Sequence, residues 1–162
     1  MSLEAGSALA VALGMCAAAA IIEGLCAGGS VRARFAELRQ PALSAPLWVW
    51  YIIGALYYLT FGFLIYRLLA GSGDHALTLA TLALVAAMMI GNALWNYVFF
   101  RARNLYVSHV VASLFPVLDI ALFACLLYLD RLAAFSLVPY LVYRAYAVWW
   151  GYGIWKLNAP ES

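Results

Sequence analysis

Asp119 and Arg144 are the charged residues set deepest inside long apolar runs, in the stretches FPVLDIALF and LVYRAYAV. An ionisable group at the middle of a bilayer costs ~2.5–3.5 kcal/mol even on the lenient insertion scale, so each of the two needs a partner. Consecutive runs joined by a short turn pack antiparallel, which would set both residues at similar height. Three readings are open: a structural ion pair, a ligand or proton role, and independent partners. Glu23, near the end of the first run, reads as an interfacial residue or as a partner for an arginine of the loop that follows.

The remaining reactive inventory is thin. Cys16, Cys26 and Cys125 form no CxxC pair, so they read as small buried hydrophobes and no metal site is expected. His75 falls in a loop and His109 early in the fourth run, which is no facing pair for bis-histidine haem ligation. Lys156 is the only lysine and lies near the C-terminus, which excludes a retinal-type Schiff base at mid-membrane. No cofactor is required on this reading.

Aromatic side chains are dense and crowd toward one half of the bilayer. Trp48, Trp50, Tyr51, Tyr57 and Tyr58 open the second run, and Trp95, Tyr97, Phe99 and Phe100 close the third. The fifth carries Tyr140, Tyr143, Tyr146, Trp149, Trp150, Tyr152 and Trp155. An interfacial belt of Trp and Tyr accounts for part of this. It does not account for Asn92 and Trp95 sharing a helical face with Phe99, or Tyr143 sharing one with Ala147 and Trp150. A ring-lined cavity under the first loop, with Asn92 as its polar anchor, suits a flat apolar ligand.

The elements that must position these groups follow from composition. Of 162 residues, 68% are hydrophobic and 10% charged, with mean hydropathy +0.95. A soluble domain runs near ~45–50% and ~25%. The chain is an integral membrane protein of one domain, 1–162, and its net charge of +2 without a basic stripe gives no reason to expect nucleic acid. Five runs reach the ~20 residues that span a bilayer, at 8–27, 48–69, 76–100, 105–129 and 132–157. Continuous apolar runs and the ban on open sheet edges in lipid predict an all-α bundle of five transmembrane helices. The leader MSLEAGS has no positive charge, so a retained first helix is expected rather than a signal peptide.

Lys and Arg set the orientation. Arg32, Arg34, Arg39, Arg101, Arg103 and Lys156 share one side, against Arg67 and Arg131 on the other. The positive-inside rule predicts a cytoplasmic first loop and C-terminus with the N-terminus outside. The first loop, 28–47, is far longer than a turn requires. It is either a linker or a lid; Pro41 and Pro46 stiffen it, and Phe35, Leu38 and Leu43 could lie down on the bundle.

Three blocks together resemble the translocator protein / tryptophan-rich sensory protein (TspO) family. The loop block resembles W-Y-x-x-L-x-K-P-x-W-x-P-P-x-W, kept as Phe35, Leu38, Pro41, Pro46 and Trp48. The second resembles N-x-x-W-x-x-x-F-F, kept as Asn92, Trp95, Phe99 and Phe100. The third resembles P-Y-L-x-W-x-x-F-A, kept as Pro139, Tyr140, Leu141 and Ala147, with Tyr143 and Tyr146 as aromatic substitutes. Departures are Gln40 for lysine, Leu43 for tryptophan, Ala45 for proline, Gly151 for asparagine, and Arg144 at a normally apolar place.

The resemblance implies a pocket among the helices, closed by the first loop, that binds tetrapyrroles such as protoporphyrin IX and isoquinoline-type ligands. Carried over by position, Trp48, Asn92, Trp95, Phe99, Tyr143 and Ala147 would line it, with Pro41 and Pro46 shaping the lid. A sterol-recognition pattern of a generic kind falls on Val148, Tyr152 and Lys156. Implied partners are membrane lipid, a tetrapyrrole, sterol or isoquinoline-type molecule, and a second copy in a homodimer. The implied role is a receptor or transporter that binds porphyrin as ligand, with Arg32, Arg34 or Arg39 neutralising its carboxylates. Light-dependent porphyrin breakdown through Trp48 and Tyr143 is the alternative, disfavoured because Tyr143 stands where the family carries an indole. A small-molecule exporter or scaffold unrelated to tetrapyrroles is the third reading.

Overall fold

Residues 3–159 are described by a computed structural model, so the two N-terminal and three C-terminal residues of the span 1–162 lie outside the described residues. Five long helices cross the bundle: α1 (Ala5–Ala27), α3 (Leu47–Ala70), α4 (His75–Asn96), α5 (Leu105–Leu129) and α6 (Arg131–Asn158). A short α2 (Val31–Glu37) sits in the first connection, and a π-helical turn (Tyr97–Arg101) ends α4. All five long elements have the length and apolar composition of membrane spans, and no strand occurs among the described residues.

Local chemistry explains most of the boundaries. Asp74 caps α4 by accepting from the Leu77 amide at 2.7 Å, and Asn104 caps α5 by accepting from Val107 at 3.0 Å. Asp130 caps α6 through the amides of Leu132 and Ala133. Each side chain satisfies a helix-end amide that lipid could not. These caps start α4 and α6 one residue before the apolar runs at 76 and 132. The third span at 76–100 is corrected in one respect: it is α-helical only to Asn96 and then widens into the π turn.

The bundle closes as a ring. In space α1 packs on α3 and α4, α4 on α5, α5 on α6, and α6 returns to α3. The half remote from the first connection is filled solid by Phe61, Leu64, Ile65, Val85, Met88, Leu122, Leu126 and Leu137, all wholly buried. At the far end Arg67 Nε lies 2.6 Å from Asp130 Oδ2, tying the end of α3 to the α5–α6 turn. That contact holds the Asp130 carboxyl below the usual carboxylate range.

The first connection is a cap laid across the other end. Gly28 opens it at φ 72°, a left-handed conformation that favours glycine. Arg34 is buried, with Nη1 3.6 Å from Glu37 and Nη2 donating to the Arg103 carbonyl. Arg103 also reaches Glu37 at 3.4 Å, so α2 is fastened to the turn before α5. Leu38 is buried and Phe35 stacks on Trp150 at 6.2 Å between centroids. Leu43 does not lie down as expected: it is 88% exposed, in a left-handed turn at φ 66°. Its carbonyl is what the turn uses, accepting from the Tyr146 hydroxyl at 3.1 Å.

Candidate functional site

Beneath the cap lies a cavity of about 380 Å³, within the ~300–1,000 Å³ range of small-molecule sites. Its walls come from α1, α3, α4 and α6, and Val31 and Phe35 of the cap segment close over it beside Leu47 at the start of α3. Ring side chains line much of the cavity. Trp50 packs against Trp150 at 4.5 Å, and Trp95 stacks on Phe99 at 4.9 Å. Deeper in, Tyr57 against Phe61 at 4.4 Å and Phe61 against Tyr140 at 5.2 Å form the floor.

The cap is pinned to this wall by side chains that donate into its backbone turn. The indole of Trp150 donates to Ser44 Oγ at 2.8 Å and approaches Gln40 Oε1 at 3.3 Å. Trp50 donates to the Ala45 carbonyl, and the Ala45 amide donates to the Tyr146 hydroxyl at 2.8 Å. Asn158 exchanges hydrogen bonds with the Arg39 backbone in both directions. Pro41 seats against Gly153, where an added Cβ would stand 3.0 Å from the proline ring.

Two charged groups reach the cavity, one from α6 and one from α1. Arg144 is 8% exposed and sits 3.2 Å from Asp119 Oδ2, itself 2% exposed. The contact is a charge pair without an aligned hydrogen bond, since Arg144 Nε and both Asp119 oxygens have no hydrogen-bond partner. The guanidinium also donates to the Tyr140 hydroxyl and lies 4.1 Å over the Phe115 ring. Glu23, on α1, faces the cavity beside Asn92 and Tyr58. Its Oε1 and the hydroxyls of Tyr57 and Tyr58 are buried without hydrogen-bond partners.

Of the residues singled out from sequence, Asn92, Trp95 and Tyr143 line the cavity, and Phe99 stands behind Trp95. Trp48 does not line it. It is 63% exposed, and its place is taken by Trp50, about 200° further round the helix at 100° per residue. Ala147 is half-buried on α6 and does not form part of the wall. Pro41 serves the cap, while Pro46 is exposed at the start of α3. Val148, Tyr152 and Lys156 lie away from the cavity, with Lys156 5.8 Å from the centre of the Tyr152 ring.

Sequence reasoning read Glu23 as interfacial and counted Trp50 among the ring side chains, and assigned neither to the cavity. Both had a signal. Trp50 falls seven residues before Tyr57 and continues the stripe Tyr57, Phe61, Leu64, Leu68, all buried. Glu23 is a lone carboxylate one turn inside an otherwise apolar span, which by itself marks a candidate site. A family model described as TspO/MBR family matches residues 12–156. No curated protein matches the chain.

Proposed function

The chain belongs to the TspO/MBR family, and from that premise we propose that it is a membrane receptor or transporter-like protein whose capped cavity takes a flat aromatic ligand of the tetrapyrrole class. The observation that carries this reading is the cavity itself: about 380 Å³, walled by Trp50, Trp95, Tyr143 and Trp150, and covered by a segment hydrogen-bonded to Trp50, Tyr146, Trp150 and Asn158. Stacked rings give such a site affinity without dictating orientation; the few polar groups supply that. Arg34 is engaged by Glu37 and the Arg103 carbonyl, so Arg32 and Arg39, both exposed, are the loop cations left to meet ligand carboxylates at the mouth. The excess of Lys and Arg on the cap side supports a cytoplasmic cap and C-terminus with the N-terminus outside.

The test is protoporphyrin IX quenching of tryptophan fluorescence in the detergent-solubilised protein. Trp50→Ala and Asn92→Ala should each weaken binding about tenfold, a loss of ~1.4 kcal/mol. Trp48→Ala and Trp155→Phe should leave affinity unchanged, since both rings stand away from the cavity. Equal affinity in all four variants would sink the assignment.

A further inference from the structure

We propose that the ligand which fits this cavity best is a flat aromatic cation, its charge held by Glu23 and its ring by the surrounding indoles. The proposal rests on the ligand-pocket reading and adds to it a preference for positive charge at the Glu23 wall.

The charge count of the wall leads there. Among the described residues, Glu23 and Arg144 are the ionisable acid and base that line the cavity. Arg144 is already matched: Asp119 sits 3.2 Å away, so that pair contributes no net charge. Glu23 has no ion-pair partner among the described residues. Arg101, a cation at the end of α1, spends a guanidinium N–H on the Leu25 carbonyl and packs along Gly28. The wall therefore carries one unmatched carboxylate, four residues inside the end of a membrane span.

A lone carboxylate within a membrane span is costly and is offset by an opposite charge or by hydrogen-bond donors. Asn92 and Tyr58 stand close enough to donate to it, but no opposite charge reaches it among the described residues. Glu23 Oε1 is buried without a hydrogen-bond partner, and so are the hydroxyls of Tyr57 and Tyr58 beside it. The surrounding surface is rich in ring faces, with Trp50, Tyr58 and Trp95 in the same cavity. Indole and phenol faces attract cations through the ring quadrupole, most strongly when water is excluded. A carboxylate with no ion-pair partner set among such faces is the recognition chemistry of an organic cation. A dianion would have to keep its carboxylates by Arg32 and Arg39 at the mouth and away from Glu23.

Three tricyclic probes of matched shape separate the possibilities: proflavine as the cation, anthracene as the neutral molecule, and anthracene carboxylate as the anion. Binding to the solubilised full chain is followed by tryptophan quenching at neutral pH. Proflavine should bind about tenfold more tightly than anthracene, with the carboxylate weakest. Glu23→Gln should erase the preference for the cation while anthracene binds as before, and Glu23→Asp should keep part of it. The comparison on the unaltered protein needs no variant to fold. Equal binding of cation and anion, or a preference that survives Glu23→Gln, overturns the proposal while leaving the pocket in place. Failure of all three probes and of protoporphyrin IX would remove the pocket reading as well.

Discussion

Arg144 is the residue whose burial has the clearest energetic consequence. Its charge is matched by Asp119 at 3.2 Å in a region where water cannot substitute. Removing one member of a buried pair leaves an uncompensated charge and costs ~3–5 kcal/mol, whereas replacing both by apolar groups is close to neutral. Asp119→Asn should thus lower the thermal stability of the solubilised protein markedly. Adding Arg144→Leu should recover a large part of that loss, and strictly additive losses would show the two are uncoupled. The depth of both residues was readable from the chain, because charge inside a long apolar run is conspicuous. Which tryptophan faces inward was not. Trp48 and Trp50 lie two apart in a segment apolar on all sides, so only registration with the buried stripe from Tyr57 to Leu68 separates them. Glu23 escaped for a related reason: its neighbours Asn92 and Tyr58 are remote in sequence, and their convergence exists only after α1, α3 and α4 pack.

The connection between α1 and α3 acts as a fastened cover, and its fastenings can be loosened one at a time. Trp150→Phe removes the donor to Ser44 and Gln40 while preserving most of the ring. Gly153→Leu drives a side chain into Pro41 across a gap of 3.0 Å. Either change should speed tryptic cleavage at Arg39, an exposed residue whose backbone is bonded to Asn158, without altering the helical circular dichroism. Unchanged cleavage in both would mean the cover is held chiefly by α2 and its ties to Arg103. The prolines and apolar residues of this segment announced that it would fold onto something. They did not announce α2, a seven-residue helix too short to show a period of its own. Nor did they announce the outward turn of Leu43, since left-handed backbone at a leucine has no compositional cue.

Five apolar runs and short turns fixed the bundle's helix count, and the ring order of the helices emerged only from packing. One contact outside the spans lends the assembly a measurable pH dependence. Asp130 is held below its ordinary value by Arg67, so the stabilisation from this contact is complete above the unfolded carboxyl's pKa and disappears as pH falls through the depressed folded value. Asparagine caps a helix as well as aspartate does, so Asp130→Asn isolates the charge. The pair is partly exposed, and the variant should melt about 1–3 °C lower at neutral pH, converging with the parent as pH falls through the depressed folded value. The packed end of the bundle has a further consequence. Below Tyr57 the interior is shut by Phe61, Leu64, Met88 and Leu122, none of which touches solvent. The chamber is a cul-de-sac: a guest admitted on one side of the membrane finds no exit on the other and must depart by its own doorway. Such a shape can hold a molecule, report its presence or hand it to a neighbour, but to ferry it across would require the sealed end to come apart.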